Sequence, residues 1–222
     1  MPADLFPDVD NEILRTVMPS GEADASINAF LIHKKDKYVL FDAGIGTEAG
    51  GRMLGELIGL QIAPEDIDVI CLTHCHFDHV GGLMAQDTAV FPKAEVWLSA
   101  PELEGFREDE LFSKILDAYG TRVQAFTFGD TIADFVETFD ASGHTPGHTV
   151  YKVDELYIIG DLVHAAALQI PHPEYCAIYD KDPKQAVKTR KHFYKILENA
   201  DYKAAGMHLP GSGVMQTFGI RY

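Results

Sequence analysis

Short apolar runs, each closing on a polar residue able to do chemistry, recur along this chain. Val69, Ile70, Cys71 and Leu72 lead to Thr73 and His74; residues 135–141 lead to Ser142, Gly143 and His144; residues 156–160 lead to Asp161; and residues 204–207 lead to His208. Runs of this length predict strands, with the polar residue just past each strand end. Residues 26–33 and 37–41 read as a hairpin pair, 51–60 as a helix despite its glycines, 94–99 as a further strand, and 101–119 as one or two helices. Asp182 followed by Pro183 is a helix start, and Ala186, Val187, Phe193, Tyr194, Ile196 and Leu197 recur at helical spacing, so that this helix buries one face on a sheet. Periodicity by itself predicts mixed α and β.

The segment "LTHCHFDHVGG" concentrates the chemistry. His74, His76, Asp78 and His79 stand at i, i+2, i+4 and i+5 directly after an apolar run. That spacing predicts a strand running out into a loop. In the strand phase alternate side chains share a face, so His74 and His76 converge on one ion, while Asp78 and His79 fall where the loop turns and face a second. Imidazole nitrogen and carboxylate oxygen are the donors a divalent metal takes, about four per ion. His144, Asp161 and His208 supply the rest, and ligands at strand ends gather at one edge of a sheet. A carboxylate such as Asp161 can bridge two ions. Cys75, on a strand, points away from its neighbours and reads as a small packed residue.

Other residues are weighed singly. His148 reads as a buried histidine that stabilises the turn after Pro146 and Gly147. His33 and His192, with no partner motif, read as ordinary surface or core histidines. His172, between Pro171 and Pro173 and near Tyr175 and Tyr179, is a candidate for substrate contact, and Phe77 for a pocket wall. Trp97, Phe106 and Phe112 read as core before they read as a lid or rim.

Composition narrows the classes. With 222 residues, 46% hydrophobic and 23% charged, the chain suffices for a sizeable core, and without an internal Pro/Gly/Ser linker a single domain over 1–222 is expected. A formal net charge of −16 argues against nucleic-acid binding, which relies on clustered Lys and Arg. "MPADLFPDVDNE" lacks a basic start followed by an apolar stretch, and no apolar run approaches a membrane span, so a cytoplasmic location without membrane partners is expected. Three cysteines, Cys71, Cys75 and Cys176, are too few and odd in number for a disulfide framework.

On these residues the chain resembles the metallo-β-lactamase fold superfamily. His74, His76, Asp78 and His79 match its H-x-H-x-D-H motif, "SGHTPGHT" its G-H-T-x-G-H segment through His144, "IIGD" its bridging aspartate through Asp161, and "GMHLP" its final histidine through His208. "LFDAG" around Asp42 resembles the early strand-and-turn element, whose aspartate supports the site. The segments "IAPEDIDVICLTHCHFDHVGGL", "FPKAEVWLSAPE", "GDLVHAAALQIPHPEY" and "AAGMHLP" are most similar to the methyl parathion hydrolase-like group. The tail "GSGVMQTFGIRY" is shorter than the family's usual "HLPFPG" continuation.

The resemblance implies an α+β fold, an αββα four-layer sandwich. It places one ion on His74, His76 and His144 and another on Asp78, His79 and His208, with Asp161 bridging. It further implies two divalent ions, zinc first, with iron, manganese, cobalt or nickel compatible with the same donors. Bound zinc lowers the pKa of water from about 16 to about 7, so a metal-bridging hydroxide is expected to cleave an ester-like bond, whether lactone, carboxylic ester or phosphotriester, in a small-molecule substrate. Asp78 would orient that hydroxide or carry its proton. His164 stands where related acyl-homoserine-lactone lactonases carry a tyrosine. It either donates a proton to the leaving group or hydrogen-bonds a ligand carboxylate, the commoner role around metal sites. By analogy a homodimer is expected. A metal-binding or sensing protein without turnover is the alternative, and a di-iron redox enzyme a weaker one, because His76 stands where that branch's H-x-E-x-D pattern has glutamate. Glyoxalase-type thioester hydrolysis ranks lower still, since so short a tail has no obvious counterpart to the glutathione-binding region.

Overall fold

A computed structural model describes residues 1–216; the end of the short tail, residues 217–222, lies outside the described residues. The chain divides into two compact units, one contiguous, Ala29–Thr138, the other made from Met1–Asn28 together with the chain from Phe139 onward. Each unit is a sheet carrying helices, the α+β class expected. Among the described residues no helix is long and apolar enough to cross a membrane.

The contiguous unit holds a sheet of five strands in the order Phe30–Lys34, Lys37–Phe41, Ile67–Cys71, Glu95–Ser99, Val123–Phe126. Its first pair is the expected antiparallel hairpin, shorter at its start than residues 26–33 suggested, and every later pairing is parallel. Parallel strands need crossovers: helix Met53–Gly59 lies in the one before Ile67–Cys71, Ala100–Gly105 and Glu110–Tyr119 in the one before Val123–Phe126, and the helical turn Phe77–Val80 with the short pair Met84–Ala85 and Thr88–Ala89 in the one between. Leu40, Ile67, Ile70, Val96, Leu98, Phe112 and Ile115 form the shared core. Because Lys37–Phe41, Ile67–Cys71 and Glu95–Ser99 are parallel neighbours, the segments that leave their C-terminal ends start at the same sheet edge. These segments begin at Asp42, Leu72 and Ala100.

Gly55 lies exposed inside Met53–Gly59, and an added Cβ would meet nothing within 4 Å. Gly55→Ala is therefore expected to stabilise the protein by about 0.5–1 kcal/mol through lost unfolded-chain entropy, read as a higher urea midpoint at unchanged slope.

In the other unit, Leu156–Gly160 pairs antiparallel with Thr149–Val153 and parallel with Lys203–Gly206, which pairs in turn with Val214–Met215. The strand Val136–Asp140 carries the chain from the first unit into this one. Asp161 and His208 thus follow the ends of two parallel neighbours. Helix Pro183–Leu197 starts as expected, Asp182 Oδ1 accepting from the Gln185 N–H at 3.0 Å. It buries Phe193, Tyr194 and Leu197 among Val150, Tyr157 and Ile159, and Ala186 on the same helix is buried too. Phe6, Val9 and Met18, from the first residues of the chain, pack with Ala165, Leu168 and Ala177.

Candidate metal centre

Strand Ile67–Cys71 ends before the histidines, which corrects the expectation that His74 and His76 keep a strand phase. The cause is a change of hydrogen-bond partner. Leu72 N–H still donates to Trp97 O across the sheet, but Thr73 N–H donates to the Asp42 carboxylate at 2.7 Å, so the backbone leaves the ladder there. His74 and His76 lie in irregular chain, their facing nitrogens 2.9 Å apart. Asp78 and His79 sit on a helical turn, Phe77–Val80, rather than on a loop bend.

Asp42 organises this segment. Its φ of +57° is a left-handed conformation that aspartate tolerates. One carboxylate oxygen takes the Thr73 N–H, and the other accepts from the Thr73 hydroxyl at 2.8 Å and from His79 Nδ1 at 2.8 Å. A carboxylate can only accept, so His79 carries its proton on Nδ1 and turns Nε2 into the donor atom for a ligand. The supporting role expected for this aspartate is what it performs. Glu102, fully buried at the start of Ala100–Gly105, accepts from the Cys75 N–H at 2.8 Å and so fixes the chain between His74 and His76. Cys75 itself is buried in the core, and burial, with Glu102 and Asp42 adding to it, pushes its thiol well above the usual range. It is the packed residue expected.

In the other unit three imidazoles surround one carboxylate. Asp161 Oδ2 stands 3.2 Å from His208 Nε2, 3.4 Å from His164 Nε2 and 3.5 Å from His144 Nε2. His144, Asp161 and His164, all buried, hold ligand atoms within 4.8 Å of one another. Each expected ligand here is turned by an acceptor on its far nitrogen. His208 Nδ1 donates to Ser26 O at 3.1 Å, and His144 Nδ1 to Asp180 Oδ1 at 2.9 Å. Burial lowers the His144 pKa to about 4 against the raising effect of Asp180 and Asp161, so the ring is neutral at pH 7 with its lone pair on Nε2. Asp180 stays ionised: burial pushes its carboxyl up, but the hydrogen bond from His144 and the charge of Arg190 help hold it well below the ordinary range.

His148 is the structural histidine expected, with a more specific task. Its Nδ1 donates to Ala141 O at 3.0 Å and its Nε2 accepts the Asp161 N–H at 3.0 Å, which fixes the backbone under the carboxylate. Asn28 holds the His208 loop, its amide donating to Met207 O and Leu209 O, each at 2.9 Å. Gly143, at φ +133°, leaves room for the helix start, since a Cβ there would fall 2.3 Å from Ala186 N.

The remaining candidates scatter. His33 is exposed and stacks on Tyr38, and His192 is exposed. His172 lies 3.7 Å from Glu174, away from the histidines around Asp161 in its contacts. Phe77 is exposed, Phe112 is core, Phe106 lies edge-on to His76 at 5.7 Å between centroids, and Trp97 bonds Glu95. Asp180, Arg190, Gln169, Thr73 and Glu102 were not anticipated.

The donor set fits a divalent ion. It is imidazole and carboxylate, the His144 ring is neutral at pH 7, and His164 is buried with neither ring nitrogen in a hydrogen bond.

Comparison with known proteins agrees. Residues 24–205 match the family model described as "Metallo-beta-lactamase superfamily". Among solved structures the chain is similar to the hydrolase AbOPH of the β-lactamase superfamily, at 30% identity and a TM-score of 0.89 over 99% of this chain and 86% of that one. It is also similar to AidC, a dizinc quorum-quenching lactonase solved with a homoserine product, at 27% identity and a TM-score of 0.86 over 96% and 84%. YobT, an uncharacterized protein of Bacillus subtilis (strain 168), is 30% identical over 134 residues, and the match spans about half of that relative, 54% of each chain. By its motifs, its fold and the family model that covers most of its length, the chain belongs to the metallo-β-lactamase superfamily.

Proposed function

We propose that residues 1–222 act as one catalytic domain, a dinuclear metal-dependent hydrolase that cleaves an ester-like bond in a small molecule. The observation that carries this reading is the meeting of His144, His164 and His208 around the buried Asp161 carboxylate, within 3.2–3.5 Å. A stable fold has no need to bury three imidazoles on one carboxylate, and such clusters mark functional sites. Two divalent ions, when bound, supply an ionised water at neutral pH and polarise the carbonyl or phosphoryl oxygen. In this reading His74, His76 and His144 hold one ion, Asp78, His79 and His208 the other, and Asp161 touches both.

The chain's own groups then do the following. Asp42, Asp180 and the Ser26 carbonyl keep Nε2 of His79, His144 and His208 unprotonated. Asp78 orients the attacking water and takes its proton. His164, next to Asp161, hydrogen-bonds the substrate or donates a proton to the departing oxygen. The likeness to hydrolase AbOPH supports hydrolysis, and the likeness to the lactonase AidC, at 27% identity, supports ester-like substrates for this chain, as do the segments that resemble the methyl parathion hydrolase-like group.

Purification without added metal or chelator, followed by metal analysis and assay on lactones, aryl esters and phosphotriesters, tests the reading. About two ions per chain and turnover that a chelator abolishes are expected. Bound metal with no turnover on any class would favour the sensing alternative. Iron with oxygen or peroxide reactivity would favour the redox one.

A further inference from the structure

Arg190 is the largest fully buried side chain of the described residues, 1% exposed. It lies in the buried stripe of helix Pro183–Leu197, between Ala186 and Phe193. Packing alone gives no reason for a charge there, because a buried ion pair returns no more stability than apolar residues of similar volume. Its contacts supply the reason. Nε donates to Leu162 O at 2.6 Å, Nη1 to Pro173 O and Tyr175 O at 2.9 Å each, and Nη2 to Asp180 Oδ2 at 3.2 Å. The other Asp180 oxygen receives His144 Nδ1. Tyr175 O also accepts from Gln169 Nε2 at 3.0 Å, and Gln169 Oε1 accepts the backbone N–H of His164 at 2.7 Å and of Ala165 at 3.1 Å. One continuous, largely buried hydrogen-bonded path therefore runs from the His144 ring through Asp180, Arg190, the half-buried Tyr175 carbonyl and Gln169 to the backbone of His164.

We propose that Asp180 and Arg190 are positioning residues that set the His144 ring for metal binding and hold the His164 segment in register with it. The proposal rests on the dinuclear reading above. A separate set of bonds distinguishes this role from simple support. Lys181 N–H donates to His144 O at 3.0 Å and Asp182 N–H to Gly143 O at 2.9 Å, so the backbone that carries His144 is tied down without the Asp180 side chain. What the carboxylate adds is the rotation and protonation of the ring. An ionised carboxylate faces two donors, Arg190 and His144, and satisfies both. An amide has one acceptor for the two. If the amide introduced by Asp180→Asn gave its oxygen to Arg190, its NH2 would face His144 Nδ1 and move the ring proton to Nε2, where no lone pair would remain for a metal.

Full-length protein, stripped of metal and titrated with zinc against a chromogenic chelator, tests this. Asp180→Asn is expected to bind one ion as wild type does and the other about 10–100-fold more weakly, the usual effect of losing an outer partner, in a protein that still shows a cooperative metal-free melting transition, at a lower temperature because Arg190 loses its buried anion. Asp180→Leu combined with Arg190→Met removes both charges at once, which guards against an unpaired buried arginine unfolding the single variant. It is expected to show the same selective loss. Wild-type affinity for both ions in either variant would overturn the proposal, as would loss of both ions together with a collapsed melting transition, which would mark a purely structural pair. Failure of the wild-type chain to take two ions would instead sink the dinuclear reading itself.

Discussion

Asp161→Ala is expected to abolish hydrolysis, by far more than the about 10–100-fold that loss of an outer partner brings, in a protein that still folds. The carboxylate stands within 3.5 Å of three imidazoles. In the proposed site its loss removes the one carboxylate assigned to both ions. The fold does not hang on the side chain, because the Asp161 backbone is held separately by His148. His76→Ala, at a partly exposed position in the other unit, is expected to do the same with less risk to folding. Turnover, metal content and circular dichroism of the two variants, measured side by side, decide the matter. Wild-type turnover in either one would overturn the site assignment.

The largest stability effect is expected at Gly82→Ala, in the "HVGG" segment. A Cβ there would lie 2.0 Å from Ala43 O and 2.9 Å from its carbonyl carbon. Both atoms are backbone and cannot swing aside. The two segments are also bonded to each other, Ala43 N–H to His79 O at 2.7 Å and Gly82 N–H to Gly44 O at 2.9 Å, so relief of the clash must pull these apart. A loss of ~3 kcal/mol is expected, at the upper end of overpacking costs. Urea unfolding beside Gly55→Ala makes the comparison internal: one added methyl meets open solvent, the other meets main chain. An unchanged midpoint for Gly82→Ala would mean that the turn after His79 yields more easily than this geometry allows.

Strand ends were readable because apolar runs bounded by polar residues report burial directly. Leu156–Gly160 is the run expected before Asp161, and Asp182 with Pro183 starts its helix as expected. The ligand-bearing loop was harder. A strand phase through His76 presumes a continuing ladder, and the ladder stops where Asp42, from thirty residues earlier, captures the Thr73 N–H. Long-range capture of this kind leaves no local pattern. The supporting residues were missed for a related reason. Glu102 stands three residues after Ser99, an arrangement that reads as a helix cap, yet its carboxylate holds the Cys75 N–H. Arg190 did leave a signal: a charge at a position where Ala186, Phe193 and Leu197 predict an apolar face. Asp180, in a loop rich in acidic residues, left none.

Division of the chain into a contiguous unit and one drawn from both ends has a consequence for biosynthesis. Everything that Ala29–Thr138 packs against in its own core is present once Thr138 has left the ribosome. Met1–Asn28 must wait, since Phe6 and Met18 find Ala165 and Leu168 only once residue 168 is made, and Asn28 finds Met207 only later still. After Thr138 is made, Phe6 and Met18 therefore stay without these partners beside a finished sheet until Ala165 and Leu168 follow, a species suited to chaperone capture. His144, Asp161 and His208 follow Thr138 in the chain, so in the proposed site the set of donors is complete only after the contiguous unit has been made.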